Sequence, residues 1–366
     1  MNAKTNNAVT VYFDVEELYY LPQYLPIRRI LRLYGATTVF VLQGQQSNRV
    51  PRILLDEGVG IEEVRFVSSK SEALNLCIVD KPDWLILGNS FSGIDDLHPN
   101  TKTALVSHGI GPKSCYYTVS DTPTTVRFVE GPYRTARLQE MYPGQCFVDT
   151  GYAKLDPAVN GDLGGTKPSD YGLDDNKKTL LYAPTFYPSS IECFDHQFPL
   201  HFSEYNIILK PHFFSLSVSK YEKQKNILER WAKYPNVYLA DVDESNILPF
   251  MVVADVLISD ASSTLFEFAA LNKPVVWCDF LKLRWTYRGI FSFRFRKRMD
   301  PDLYKYADIA AHAKSYRELK SVIQKQITHP DEFASQRSRY TLSLAGNVDG
   351  KASERIVQYI LNYEEA

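Results

Sequence analysis

Short, continuously apolar runs recur along this chain, with enough sequence between them for a helix each time. They occupy 9–13, 37–42, 84–87, 103–106 and 126–129 and, after a break, 179–183, 206–209, 237–239, 255–259 and 274–278. A strand with one face in water alternates apolar and polar residues, whereas an unbroken apolar run suits a strand covered on both faces of a parallel sheet. Two such series therefore predict two α/β domains. Length agrees, because single cores stop growing near roughly 250–300 residues, and this chain has 366. With 45% hydrophobic and 23% charged residues, it can bury sizeable cores and is not an extended disordered chain.

The break, 151–176, contains Pro157, Gly161, Gly164, Gly165, Pro168 and Gly172 together with several Asp and Lys, the composition of a linker more than of a packed element. The expected division is 1–160, 175–345 and a terminal piece 346–366 that is helical over 353–363. No residue-level repeat accompanies the two series. The five cysteines, at 77, 115, 146, 193 and 278, form neither a CxxC pair nor a metal-ligand spacing, so they read as reduced, mostly buried thiols without a structural zinc. A net charge of -2 provides no global field for nucleic acid, which makes any anion recognition local. The opening residues hold no apolar signal segment, and no run approaches the roughly 20 apolar residues of a membrane span. A protein neither exported by that route nor integral to a membrane is expected.

Four constellations lie at the ends of expected strands, where ligands bind in open α/β sheets. After 103–106 comes Ser107-His108-Gly109-Ile110-Gly111-Pro112-Lys113. Its glycines allow close backbone approach to a ligand, His108 can take a hydroxyl proton near neutral pH, and Lys113 can balance phosphate charge; the alternative is a satisfied histidine in a turn. Ala183-Pro184-Thr185 ends a strand and either aims the Thr185 hydroxyl at a ligand or simply turns the chain. In Lys210-Pro211-His212, Lys210 and His212 suit a diphosphate, or are a surface lysine and a capping histidine. Finally, 255–267 runs from a strand through Ser259-Asp260-Ala261-Ser262-Ser263-Thr264 into a helix over 265–271, with Thr264 and Glu267 spaced as a capping box. Unpaired N–H groups at such a helix start, with three hydroxyls, form a phosphate cradle. Separately, 282–298 interleaves seven basic residues with Trp285, Tyr287, Phe291, Phe293 and Phe295, which suits an anionic lipid surface or a pyrophosphate-bearing acceptor, or a half-buried element with a solvated face.

Together these blocks resemble the CDP-glycerol glycerophosphotransferase family of teichoic-acid and related polyol-phosphate polymer enzymes. The likeness runs in order through His108-Gly109 with Lys113, 151–156, Ala183-Pro184-Thr185, Lys210-Pro211-His212, 255–263, Asn272-Lys273-Pro274, Arg288-Gly289 and 349–353. The family usually has an aromatic residue where this chain has Ser107, commonly an arginine where it has Tyr187, and tends toward aromatic and acidic residues after Arg288-Gly289, where this chain turns basic.

The resemblance implies a GT-B fold, two Rossmann-like domains with parallel sheets facing each other across a cleft, with acceptor on the first and donor nucleotide on the second. It implies His108 as base and His212 on the donor phosphates. Ser262 and Ser263 hold the diphosphate, with Lys210, Thr185, Asp260, Thr264 and Glu267 completing the donor side and Gly109, Lys113 and Arg288 on acceptor or phosphate. The implied reaction moves a polyol phosphate, most simply glycerol phosphate from CDP-glycerol, to a hydroxyl of a cell-surface glycan or lipid-linked precursor and releases CMP. The donor is a substrate, so no cofactor is expected, and with no acidic metal motif in the sequence metal is expected to be dispensable. The expected place is the cytoplasm, at the inner face of the membrane through 282–298, without nucleic acid as partner. A GT-B glycosyltransferase, a sugar-nucleotide 2-epimerase and a non-catalytic nucleotide-binding protein share the architecture, and fold alone does not separate them.

Overall fold

The structure is a computed structural model and describes residues 8–44, 49–112, 115–260, 262–283, 287, 289 and 301–364. The chain divides into two compact units. The first draws on 1–110, 114–160 and 343–366, and the second on 111–113 and 161–342.

In the first unit β1 (Thr10–Val15), β2 (Thr37–Gln43), β3 (Val64–Val67), β4 (Trp84–Leu87), β5 (Lys102–Val106), β6 (Val126–Val129) and β7 (Phe147–Asp149) form one sheet in the order β3-β2-β1-β4-β5-β6-β7. Every pairing is parallel, with Val11 opposite both Thr38 and Trp84. The second unit repeats the pattern with β8 (Thr179–Tyr182), β9 (Asn206–Leu209), β10 (Val237–Leu239), β11 (Val256–Ser259), β12 (Val275–Cys278) and β13 (Ala311–Ala313), ordered β10-β9-β8-β11-β12-β13 and again parallel. In each sheet the order reverses once, between β1 and β4 and between β8 and β11, and such a switch point opens a crevice at the carboxyl ends of the strands.

All ten apolar runs are strands. The three strands that the runs do not reveal, β3, β7 and β13, lie at sheet edges. An edge strand need not be apolar on both faces, and β3 accordingly exposes Arg65 between buried Val64 and Val67.

The first core packs Leu21, Leu25, Ile27 and Leu31 of the helix Leu21–Leu33 with Val11 and Phe13 of β1 and with Ile356, Val357 and Ile360 of the helix Ala352–Leu361. Each of these fully buried aliphatic or aromatic side chains contributes about 1.5–3 kcal/mol. The second core gathers Trp231, Tyr182, Phe198 and Phe202 with β8, β9 and β11.

The expected linker needs correcting over its first part. Residues 151–157 are buried, because the Asp156 carboxylate accepts the backbone N–H groups of Ala352 (3.3 Å) and Ser353 (2.7 Å) at the start of the terminal helix. Asn160 Nδ2 adds a bond to Gly350 O at 2.9 Å. The terminal helix is thus an integral part of the first unit. Of the thiols, Cys77 and Cys278 are buried, whereas Cys193 is half-buried and Cys146 exposed, so burial holds for only some of them. Among the described residues no helix is long and apolar enough to cross a membrane.

Candidate functional site

In the first unit His108 follows β5, and Gly88 and Asn89 follow β4, beside the switch point. His108 Nδ1 lies 3.0 Å from the carbonyl oxygen of Gly88. A carbonyl only accepts, so Nδ1 carries the proton and Nε2 is the basic nitrogen. The imidazole is packed among Tyr19, Tyr20 and Tyr116, with ring centroids 5.2, 5.3 and 5.5 Å away. Gly88, Asn89, Ser107, His108, Tyr19 and Tyr116 line a cavity of about 220 Å³. Gly109 is required here, since a Cβ on it would stand 2.3 Å from the Tyr116 hydroxyl oxygen.

The loop is held from behind by Arg134, on the helix Pro132–Met141, which the sequence reading does not single out. Its Nη1 lies 3.2 Å from both Ser107 Oγ and Gly109 O, and 2.5 Å from Glu130 Oε2. Ser107 Oγ in turn donates to Gly109 O at 3.0 Å. A small hydroxyl at 107 therefore closes a polar joint on both sides of His108. Burial works against the charge on Arg134, but the Glu130 carboxylate and the Tyr117 and Tyr116 rings hold its pKa above the ordinary arginine value. The signal for it in sequence is the pair Glu130 and Arg134, four residues apart and directly after the apolar run 126–129.

In the second unit the loops after β8, β9 and β11 meet at the other switch point. Lys210 N donates to Tyr182 O at 2.9 Å and His212 N to Pro184 O at 3.2 Å, which brings Lys210 and His212 beside Thr185. Phe214 N donates to His212 Nδ1 at 3.2 Å, so here Nδ1 is the acceptor and Nε2 carries the proton. The two histidines are thus set in opposite tautomers. Lys210, His212 and Thr185 are all half-buried, and the Phe186 ring lies 4.7 Å from that of His212.

Three donor-side expectations need correction. Asp260 is fully buried, and its carboxylate accepts Thr185 N at 2.6 Å and the N and Oγ of Ser190 at 3.0 Å. Burial pushes its pKa up, against those hydrogen bonds. It shapes the Thr185 loop from inside. Glu267 is likewise buried, at 2% exposure, away from solvent. The capping box is absent, because the helix begins at Thr264 with Ser263 before it and no side-chain cap from that residue. Nor are the N–H groups left open: Ser262 Oγ accepts Thr264 N at 3.3 Å, Ser262 O accepts Leu265 N at 3.3 Å and Ser263 O accepts Phe266 N at 3.0 Å. What the turn offers a phosphate is its hydroxyls on half-buried Ser262, Ser263 and Thr264. The Thr185 hydroxyl itself donates to Pro188 O at 2.6 Å. Lys113, Arg288 and nearly all of 282–298 lie outside the described residues.

Residues 112–362 match the family model of CDP-Glycerol:Poly(glycerophosphate) glycerophosphotransferase. The chain belongs to this family. Among curated members, the teichoic acid glycerol-phosphate primase of Bacillus subtilis (strain 168) is 35% identical over 117 residues, covering 31% of this chain and 29% of that protein. The chain spans less than a third of the length of the first curated relatives it matches. The solved wall teichoic acid polymerase TagF superposes with a TM-score of 0.64 at 16% identity, over 96% of this chain and 88% of TagF. The UDP-GlcNAc 2-epimerase of Neisseria meningitidis, solved with UDP-GlcNAc, superposes at 0.59 and 14% identity over 97% and 100%. The fold of this glycerophosphotransferase family member is therefore GT-B, and it is shared with an epimerase. Residues and chemistry must decide between the activities.

Proposed function

We propose that this chain transfers a polyol phosphate, most simply glycerol phosphate from CDP-glycerol, to a hydroxyl of a cell-surface glycan or its lipid-linked precursor. The carrying observation is one histidine in each unit: His108 presents Nε2 as a base in the first, and His212 presents Nε2–H as a donor in the second. Groups of both kinds serve phosphoryl transfer. His108 Nε2 takes the proton of the acceptor hydroxyl as its oxygen bonds to the β-phosphorus, while the bond from that phosphorus to the bridging oxygen breaks and CMP leaves. His212 Nε2–H and Lys210 face the negative charge that collects on the phosphates, and the hydroxyls of Ser262, Ser263 and Thr264 hold them in place. Positioning and electrostatics account for most of the acceleration in such a reaction.

Family membership supports this over sugar transfer and over epimerisation. The reading requires no organic cofactor and no metal. The acceptor's lipid link would bring the enzyme to the inner face of the membrane. Incubation with CDP-glycerol and a glycerol-phosphate-primed acceptor tests it. Release of CMP with growth of the acceptor is expected; release of CDP or UDP from a sugar nucleotide would establish glycosyl transfer instead, and an isomerised donor would establish epimerisation.

A further inference from the structure

A second cavity, of about 300 Å³, lies in the second unit and has no part in the site described above. Its walls include Tyr187 and Tyr221, both only 8% exposed, and three lysines, Lys220, Lys223 and Lys282. Among the described residues its one acidic lining residue is Glu192, whose carboxylate is 3.6 Å from Lys223 Nζ. Three ammonium groups against one carboxylate leave two positive charges over aromatic walls. Among the described residues neither Lys220 nor Lys282 has a carboxylate within ion-pair distance. Lys282 is fixed at its backbone, where its N–H donates to Ser189 O at 2.8 Å.

This cavity adjoins the donor residues. Gln224, on its wall, donates through Nε2 to Phe186 O at 3.0 Å. The Phe186 ring in turn lies 5.5 Å from Tyr221 and 4.7 Å from His212. The segment 185–187 therefore runs from Thr185, beside Lys210 and His212, to Tyr187 on the wall of this cavity. A local excess of positive charge in a recess selects an anion, and aromatic walls beside it suit the carbon skeleton of a polyol.

We propose that this cavity is a second anion subsite, which holds a phosphate ester already present on the acceptor. The assignment rests on the glycerophosphotransferase reading for the word acceptor, and on the cavity alone for the anion. The phosphate can be an internal phosphodiester of a polyol-phosphate chain or the diphosphate of a lipid-linked precursor, and binding measurements separate them. Glycerophosphoglycerol, inorganic pyrophosphate and inorganic phosphate are titrated calorimetrically into the full chain saturated with CDP.

The Lys220→Gln/Lys282→Gln double variant is expected to weaken glycerophosphoglycerol or pyrophosphate about tenfold, the effect of two partly solvated charges, with CDP affinity unchanged. The Glu192→Gln variant is expected to tighten the same ligand about threefold, by removing the opposing charge. Preference for the diester assigns the site to a polymer chain, and preference for pyrophosphate to the lipid-linked end. The proposal is overturned if the double variant binds glycerophosphoglycerol and pyrophosphate as wild type does, if they compete with CDP, or if inorganic phosphate alone binds. Lysine-dependent ester binding without CMP release from CDP-glycerol would sink the activity and keep the subsite; CMP release with lysine-independent binding would do the reverse.

Discussion

Arg134 connects the fold of the first unit to the placement of His108, and replacing it separates the two effects. In Arg134→Met the side chain keeps its bulk but loses the guanidinium that faces Glu130 at 2.5 Å, with the two side chains 1% and 3% exposed. An orphaned buried carboxylate costs about 3–5 kcal/mol, and for a unit of this size each kcal/mol lowers the melting midpoint by about 2–4 °C. Calorimetry should therefore show the first unit's transition lowered by about 6–20 °C. Lost as well are the bonds to Ser107 Oγ and Gly109 O, each worth roughly 1 kcal/mol. Adding Glu130→Leu removes the buried charge, so most of the midpoint should return. The tether on the His108 loop does not return, and kcat for CMP release should stay at least tenfold low, since small misplacements of a reacting group carry penalties of about that size or more. A double variant that regains both midpoint and kcat would refute the positioning role. A single variant that melts within a degree of wild type would refute the burial argument.

His108→Ala should lower turnover by about 10²–10⁴ while leaving CDP affinity, read calorimetrically, unchanged; unaltered turnover would remove His108 as the base. Gly109→Ala places a methyl 2.3 Å from the Tyr116 hydroxyl oxygen and should destabilise by about 1–3 kcal/mol, with partial recovery on adding Tyr116→Phe; no effect in thermal melts would show that the loop yields freely. Burial pushes the Asp14 carboxyl up to about 7, above its unfolded value near 4. The native state thus holds a proton that the unfolded chain has lost, and the associated stability is complete below about pH 4 and lost as pH rises through about 7. Between pH 5 and 8 the melting midpoint of wild type should fall relative to that of Asp14→Asn, and parallel curves would contradict the shift.

The central strands were legible because both their faces are covered, which leaves the same apolar mark on each run. Val64–Val67, Phe147–Asp149 and Ala311–Ala313 left a weaker mark because an edge strand is buried less completely. Placement at strand ends singled out His108, Lys210 and His212, which do follow β5 and β9. The tautomers were not legible, since they depend on Gly88 O and Phe214 N, groups that every residue possesses.

Resemblance also marked residues whose observed contacts belong to the fold. Lys273 Nζ donates to the carbonyls of Met251, Val252 and Ala254 at the end of the helix Leu248–Val253. The blocks 151–156 and 349–353 meet as one joint through Asp156. Asp260 and Glu267 turned inward for a related reason. Sequence shows an acid beside hydroxyls, whereas which way a carboxylate faces is decided by tertiary packing.

The joint at Asp156 bears on the order in which the chain becomes whole as it leaves the ribosome. Domains generally fold as units as they are synthesised, and the second unit is almost continuous, over 161–342. Its strands are all available before the helix Ala352–Leu361 exists. The first unit, although its strands precede those of the second, lacks Ile356, Val357 and Ile360 in its core until Ala352–Leu361 emerges. Until then the apolar faces of Leu21–Leu33 and β1 lack these partners.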